Sequence, residues 1–178
     1  MAIDSGGASL LEGMRLFTQD LARGRVSMTD DTAFEVGRNV ATTPGSVVFE
    51  NDLFQLVQYT PTTAKVHERP LLIVPPCINK YYILDLQPDN SLVAHAVAQE
   101  HTVFLVSWRN AGPEQAKLGW DDYLEQGVMQ AIDASLAISG ADRVNALGFC
   151  IGGTLLASGL AVLAARGENK VASLTLLT

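Results

Sequence analysis

Positive charge is in short supply: 12 Lys and Arg stand against 19 Asp and Glu, for a formal net charge of −7. The basic residues are scattered rather than gathered into a stripe, so the electrostatic footprint of a nucleic-acid binder is missing and no nucleic-acid partner is expected. Cysteine is scarcer still. Cys77 and Cys150 lie far apart, with no CxxC pair and no zinc-ligand spacing around them, which points away from a metal site and toward two free thiols of a cytosolic protein. Met1, Ala2, Ile3 and Asp4 open the chain without a basic n-region and apolar h-region, so secretion is not expected. Long apolar runs are absent as well. The longest, residues 155–165, is interrupted by Ser158 and Gly159 and falls short of the roughly 18 residues a bilayer span needs, so it reads as a buried core helix. There is no internal repeat, and no low-complexity tract beyond a short Ser/Gly opening.

What is present is the material of a globular domain: 178 residues, 48% of them apolar, enough for one core and an appended segment. Leu10, Leu11, Met14, Phe17 and Leu21 recur at helical spacing up to Arg23 and Gly24, a helix with a glycine stop. Residues 24–44 lose periodicity and turn polar, with Thr29, Asp30, Asp31, Thr42 and Thr43, so the division falls between a leading helical segment with its connector (residues 1–45) and a compact domain (residues 46–178). Residues 46–50 and 54–59 flank the turn-prone Asn51-Asp52 and predict an antiparallel hairpin. Residues 71–74, 102–106 and 143–147 are short continuous apolar runs, as expected of strands buried on both faces. Between them come a helix capped by Asn90 that carries Leu92, Val93, Ala96 and Val97, and a second over residues 120–138 with Asp121 and Asp122 in its first turn. A helix over residues 154–166 ending at Gly167 and a strand over residues 171–177 complete the series. Strands and helices alternating in units of about 30 residues imply an α/β fold with a mostly parallel sheet and right-handed crossovers.

The chemistry concentrates in Val144-Asn-Ala-Leu-Gly148-Phe-Cys150-Ile-Gly152-Gly153-Thr154, a G-x-C-x-G sequence between an expected strand and an expected helix. A nucleophile elbow projects its side chain from a sharp strand-to-helix turn, and its flanks must be free of a Cβ, which Gly148 and Gly152 satisfy. The helix that follows starts with its N–H groups beside the thiol, an arrangement that favours the thiolate. The plainer alternative is a small buried cysteine in a glycine-rich turn. A dinucleotide fingerprint is set aside, because Gly148-Phe-Cys-Ile-Gly-Gly does not fit G-x-G-x-x-G.

An elbow calls for an oxyanion loop after the third strand. Pro75-Pro76-Cys77-Ile78-Asn79-Lys80 follows that strand directly. The two prolines have no N–H to give, so the donor comes from Cys77 or Ile78, beside Ile151. A rigid proline turn without a catalytic part is the competing reading. The element order of hairpin, third strand, helix, strand, helix, strand, elbow, helix and strand is that of the front half of an α/β-hydrolase fold.

Several stretches resemble class I polyhydroxyalkanoate synthases: Pro75-Pro-Cys-Ile-Asn-Lys-Tyr-Tyr-Ile-Leu-Asp-Leu-Gln-Pro88, Val106-Ser-Trp-Arg-Asn110 and Leu147-Gly-Phe-Cys-Ile-Gly-Gly-Thr154. Phe34-Glu-Val-Gly-Arg-Asn-Val-Ala41 and Val47-Val-Phe-Glu-Asn51 are similar to the stretch ahead of that family's catalytic domain. The resemblance implies an acyltransferase that polymerises (R)-3-hydroxyacyl-CoA, short-chain units such as 3-hydroxybutyryl-CoA favoured, with CoA released and Cys150 as nucleophile. It implies no cofactor, since the CoA thioester is the substrate, and as partners the growing polyester chain, a second copy in a homodimer and the surface of cytoplasmic polymer granules. The family's Asp and His belong after the sixth strand, inside which the chain stops at Thr178, so both are expected to be absent here and the chain alone inactive. His67, His95 and His101 all precede the elbow, the wrong order for a hydrolase base. Two rival readings are a cysteine-elbow hydrolase of the dienelactone hydrolase type, and a non-catalytic fragment whose uncovered sheet edge invites aggregation.

Overall fold

The computed structural model describes residues 3–28, 30 and 32–178; Met1 and Ala2 at the chain start and Thr29 and Asp31 in the polar connector lie outside the described residues. The chain divides into two compact units, Met1–Glu35 and Val36–Thr178. In the first, helix α1 (Ala8–Arg23) ends on Gly24 in the left-handed conformation, whose N–H returns to the carbonyls of Asp20 and Leu21, as the glycine stop predicts. Asp20 then accepts from both the backbone and the hydroxyl of Ser27, which fixes the chain's exit.

The second unit takes in residues 36–44, nine residues ahead of the hairpin's start. Val40 and Ala41 are buried, and a carboxylate ties the stretch down. Asp85 accepts from Thr43 at 2.6 Å and from Ser91 at 2.7 Å, while its backbone carbonyl takes the Ala41 N–H at 2.9 Å.

Six strands form the main sheet: β1 (Gly45–Glu50), β2 (Phe54–Tyr59), β3 (Leu71–Val74), β4 (Val103–Trp108), β5 (Val144–Phe149) and β6 (Val171–Leu177). Their spatial order is β1-β2-β4-β3-β5-β6. β1 and β2 pair antiparallel, β2 meets β4 antiparallel, and the remaining contacts are parallel. The order skips β4 outward and returns to β3 at the centre, which places the ends of β3 and β5 side by side.

Alternation along the central strands sorts the core into two layers. Leu72, Val74, Phe104 and Val106 face one side with Leu124, Val128, Ile132, Leu155 and Leu156, whereas Ile73, Val103 and Leu105 face the other with Val93, Ala96 and Val97. The last three belong to α2 (Leu92–Ala98). The opposite layer is built by α3, a continuous helix of α-helical Trp120–Asp122, π-helical Tyr123–Met129 and α-helical Gln130–Ser139, and by α4 (Ile151–Ala165).

Three local expectations are corrected. The cap of α2 is Ser91, whose hydroxyl accepts the Ala94 N–H at 2.8 Å; Asn90 instead pairs with Gln87 in a short two-stranded ribbon. Helix α4 begins at Ile151 rather than Thr154, because Gly152 and Gly153 are helical despite their poor propensity. The π-helical turn was not anticipated. Its registry shift leaves backbone carbonyls to be satisfied from outside, and the Asn51 side chain donates to the Gln126 carbonyl at 2.7 Å. The same side chain accepts from the N–H groups of Leu53 and Phe54, closing the hairpin turn.

Candidate active site

Cys150 stands between β5 and α4 with φ 54° and ψ −127°. Among the described residues only Ala41 and Glu100 share a positive φ without being glycine. A non-glycine residue held in this sparsely populated region costs energy that surrounding contacts must offset. Those contacts are visible: the Cys150 N–H donates to the Leu177 carbonyl at the end of β6 at 2.8 Å, and the Cys150 carbonyl accepts from Gly153 at 2.9 Å and Thr154. The backbone is pinned on both sides, and the thiol is exposed.

The flanking glycines are required by space. A Cβ on Gly148 would stand 2.4 Å from the Gly153 Cα, and one on Gly152 would stand 2.2 Å from the Val74 carbonyl oxygen and 2.6 Å from that of Pro75. The first turn of α4 is thus seated directly on the end of β3, where the proline loop begins. This brings the elbow and residues 75–80 together at the C-terminal rim of the sheet, as the sequence pattern anticipates.

The loop turns on itself, with the Asn79 N–H donating to the Pro76 carbonyl at 3.3 Å. Cys77 is partly buried against the α3/α4 layer, and burial pushes its thiol up, an effect its own backbone N–H partly offsets. Tyr123 lies close by: burial raises its hydroxyl and the Cys77 sulfur adds to the rise. Ile78 is 79% exposed. Among the described residues the N–H groups of Cys77 and Ile78 in the loop and of Ile151 and Gly152 at the start of α4 donate to no backbone acceptor, whereas those of Cys150, Gly153 and Asn79 do. Lys80 reaches the Asn110 side chain at 3.3 Å across the same rim.

No histidine joins this group. The His67 and His101 rings meet at a tilt, 4.8 Å between centroids, just ahead of β3 and β4 and so at the opposite, N-terminal rim. His95 is exposed on α2. Among the described residues no side chain hydrogen-bonds the Cys150 sulfur, and no group of three or more His, Cys, Asp and Glu side chains is arranged to hold a metal ion.

One contact escaped the sequence reading. The Trp108 indole donates to the Pro75 carbonyl at 2.8 Å, linking β4 to the start of the proline loop. A tryptophan near the end of a buried strand needs an acceptor for its N–H, which is the signal that could have found it; the identity of the acceptor depends on the fold.

A strand-elbow-helix with a cysteine at its tip, on a sheet ordered β1-β2-β4-β3-β5-β6, defines an α/β-hydrolase-fold protein. The alpha/beta hydrolase fold profile matches residues 70–178. Among solved structures, epoxide hydrolase A from Mycobacterium thermoresistibile superposes with a TM-score of 0.54 at 14% identity, over 76% of this chain and 39% of that one. DphMB1 does so with a TM-score of 0.51 at 21% identity, over 78% and 46%; at such identities the likeness concerns the fold alone. The profile described as poly-beta-hydroxybutyrate polymerase (PhaC) N-terminus matches residues 1–96, and the chain belongs to that polymerase family. It is 62% identical over 178 residues to the poly(3-hydroxyalkanoate) polymerase subunit PhaC of Cupriavidus necator. It is also 47% identical over 180 residues to the poly(3-hydroxyalkanoate) polymerase of Methylorubrum extorquens. Both alignments take in all or nearly all of this chain, which spans about 30% of each relative's length. No helix among the described residues is long and apolar enough to cross a membrane.

Proposed function

We propose that this chain carries the nucleophile and oxyanion loop of a poly(3-hydroxyalkanoate) polymerase acting on short-chain (R)-3-hydroxyacyl-CoA. The Cys150 thiolate attacks the thioester carbonyl. The oxyanion of the tetrahedral intermediate is held by the N–H of Ile151 and that of Ile78, with Cys77 as the alternative donor in the loop. Collapse expels CoA as its thiolate, which takes up a proton, and leaves the acyl group on Cys150 as a new thioester. Because one thioester replaces another, little acyl-transfer potential is lost. The 3-hydroxyl of the growing chain, deprotonated by a general base, then attacks this acyl group; an ester bond forms, the Cys150 thiolate is released, and the polymer is longer by one unit. Water must be kept from the acyl-enzyme, since hydrolysis would end the chain. In this reading the base and its orienting acid are a His and an Asp from the part of the relatives' length that this chain does not span. A homodimer at the surface of cytoplasmic polymer granules is the assembly this reading implies, with no cofactor.

The observation that carries the reading is exposed Cys150 on a strained backbone, at a helix start packed against the head of a loop whose Cys77 and Ile78 N–H groups meet no backbone acceptor. Release of CoA from 3-hydroxybutyryl-CoA tests it in the full-length protein. Cys150→Ala is expected to abolish release; unchanged release in that variant would remove the elbow from the mechanism.

A further inference from the structure

The Pro75 carbonyl sits where two elements converge. On one side it receives the Trp108 indole N–H at 2.8 Å; on the other, the first turn of α4 approaches so closely that a Cβ on Gly152 would lie 2.6 Å away. Pro75 is followed by Pro76, whose ring restricts φ near −65°, so the orientation of the Pro75 carbonyl is passed into the turn that begins at Pro76. That turn presents the N–H groups of Cys77 and Ile78, neither of which meets a backbone acceptor.

The indole is itself held. Trp108 is 8% exposed; its ring meets the Phe54 ring edge-on with centroids 6.1 Å apart and the Tyr123 ring at 5.6 Å, and crowds the space a Cβ on Gly127 would occupy, 2.8 Å from two of its ring carbons. Gly127 lies in the π-helical turn of α3. A glycine inside a helix costs about 1 kcal/mol relative to alanine and a π-helical turn is rare; here both make room for one side chain. Packing alone would be served by any large apolar residue. The indole adds a donor aimed at a carbonyl that lies where β3, the oxyanion loop and the elbow meet.

We infer that Trp108 is a positioning residue that sets the distance between the oxyanion loop and the Cys150 elbow, by holding the Pro75 carbonyl from a slot formed by Gly127 and the π-helical turn. The inference rests on the acyl-transfer reading above. In the full-length polymerase, Trp108→Phe keeps an aromatic ring and removes the donor, and Gly127→Ala keeps the donor and crowds the ring. Turnover of 3-hydroxybutyryl-CoA is compared with the rate at which iodoacetamide alkylates Cys150, a reaction that needs no oxyanion hole. Loss of one oxyanion donor costs about 10²–10³ in kcat, so a misplaced one is expected to lower kcat at least tenfold, with KM and the alkylation rate within about threefold of wild type. If either variant does not fold, the other decides. A kcat per alkylatable site that stays within twofold of wild type overturns the inference, as does a fall matched by slower alkylation, which would mean general damage to the elbow. Failure of the underlying reading is distinguishable, because it shows as turnover that survives Cys150→Ala, whatever Trp108 does.

Discussion

The two rims of the sheet are built from the same strands and behave as different materials. At the C-terminal rim, α4 is seated on β3 with no space for a single carbon at Gly152, and Cys150 is fixed in a strained conformation by bonds to β6 and α4. At the N-terminal rim, the side-chain contacts include the exposed ion pair of Arg69 and Asp142 at 3.2 Å, the paired rings of His67 and His101, and Lys170 reaching Asp133 and Glu168 at 2.7 and 2.6 Å. The first rim leaves no space for an added side-chain atom; the second is closed by backbone bonds too, from the His67 N–H to the Glu100 carbonyl at 2.8 Å and from the Val144 N–H to the Lys170 carbonyl at 3.0 Å, but its side-chain contacts are made by exposed groups that can change rotamer. A non-glycine residue with positive φ occurs at each rim, Cys150 at the first and Glu100 at the second; what sets Cys150 apart is the backbone bonding on both sides of it, where the proposed nucleophile stands.

Gly152→Ala strikes the first rim and has the largest expected effect. The new Cβ meets two carbonyl oxygens that belong to β3 and its extension, so the elbow must lift from the loop. About 3 kcal/mol of stability is expected to go, together with CoA release; urea unfolding and the CoA assay on the full-length protein check both. A variant of near wild-type stability would show that the seat is looser than its geometry. A smaller effect is expected from His101. Burial, and then His67, hold its imidazole below the ordinary value of 6.5. A neutral folded His101 contributes stability that is complete above that unfolded value and is lost as the pH falls from there to the lower folded one. His101→Asn is expected to flatten this part of the pH dependence of the unfolding midpoint and to leave kcat unchanged; an identical slope in both proteins would remove His101 as its source. The smallest effect is expected from Arg69→Ala, because exposed ion pairs contribute little. The thermal midpoint and CoA release should both match wild type within error, and a clear loss of either would erase the contrast between the rims.

Legibility followed the same division. Elements held by side-chain pattern were readable: the alternating and continuous apolar runs of β2 to β6, the helical spacing in α1, and the glycine stop at Gly24. The elbow was readable too, because its two glycines and its cysteine announce a steric requirement in one short stretch. What stayed hidden depends on partners distant in sequence. Ser91 rather than Asn90 caps α2 because Asp85 already takes the serine hydroxyl's proton, leaving its oxygen for the Ala94 N–H. The π-helical turn packs Gly127 against Trp108 and receives a bond from the Asn51 side chain, 75 residues from the carbonyl it satisfies, and neither partner is marked in the local sequence. That the N–H groups of Cys77, Ile78 and Ile151 meet no backbone acceptor becomes apparent only once the bonds around them are accounted for.

The central claim is that Cys150 carries the acyl group. Its most direct test is to mix the full-length protein with 3-hydroxybutyryl-CoA, quench in acid within a turnover, and map the modified peptide by mass spectrometry. The account predicts a hydroxyacyl adduct on the peptide that contains Cys150, absent in Cys150→Ala and removed by hydroxylamine as a thioester should be. Rapid CoA release with the adduct on another residue, or with no adduct at any time point, would contradict it.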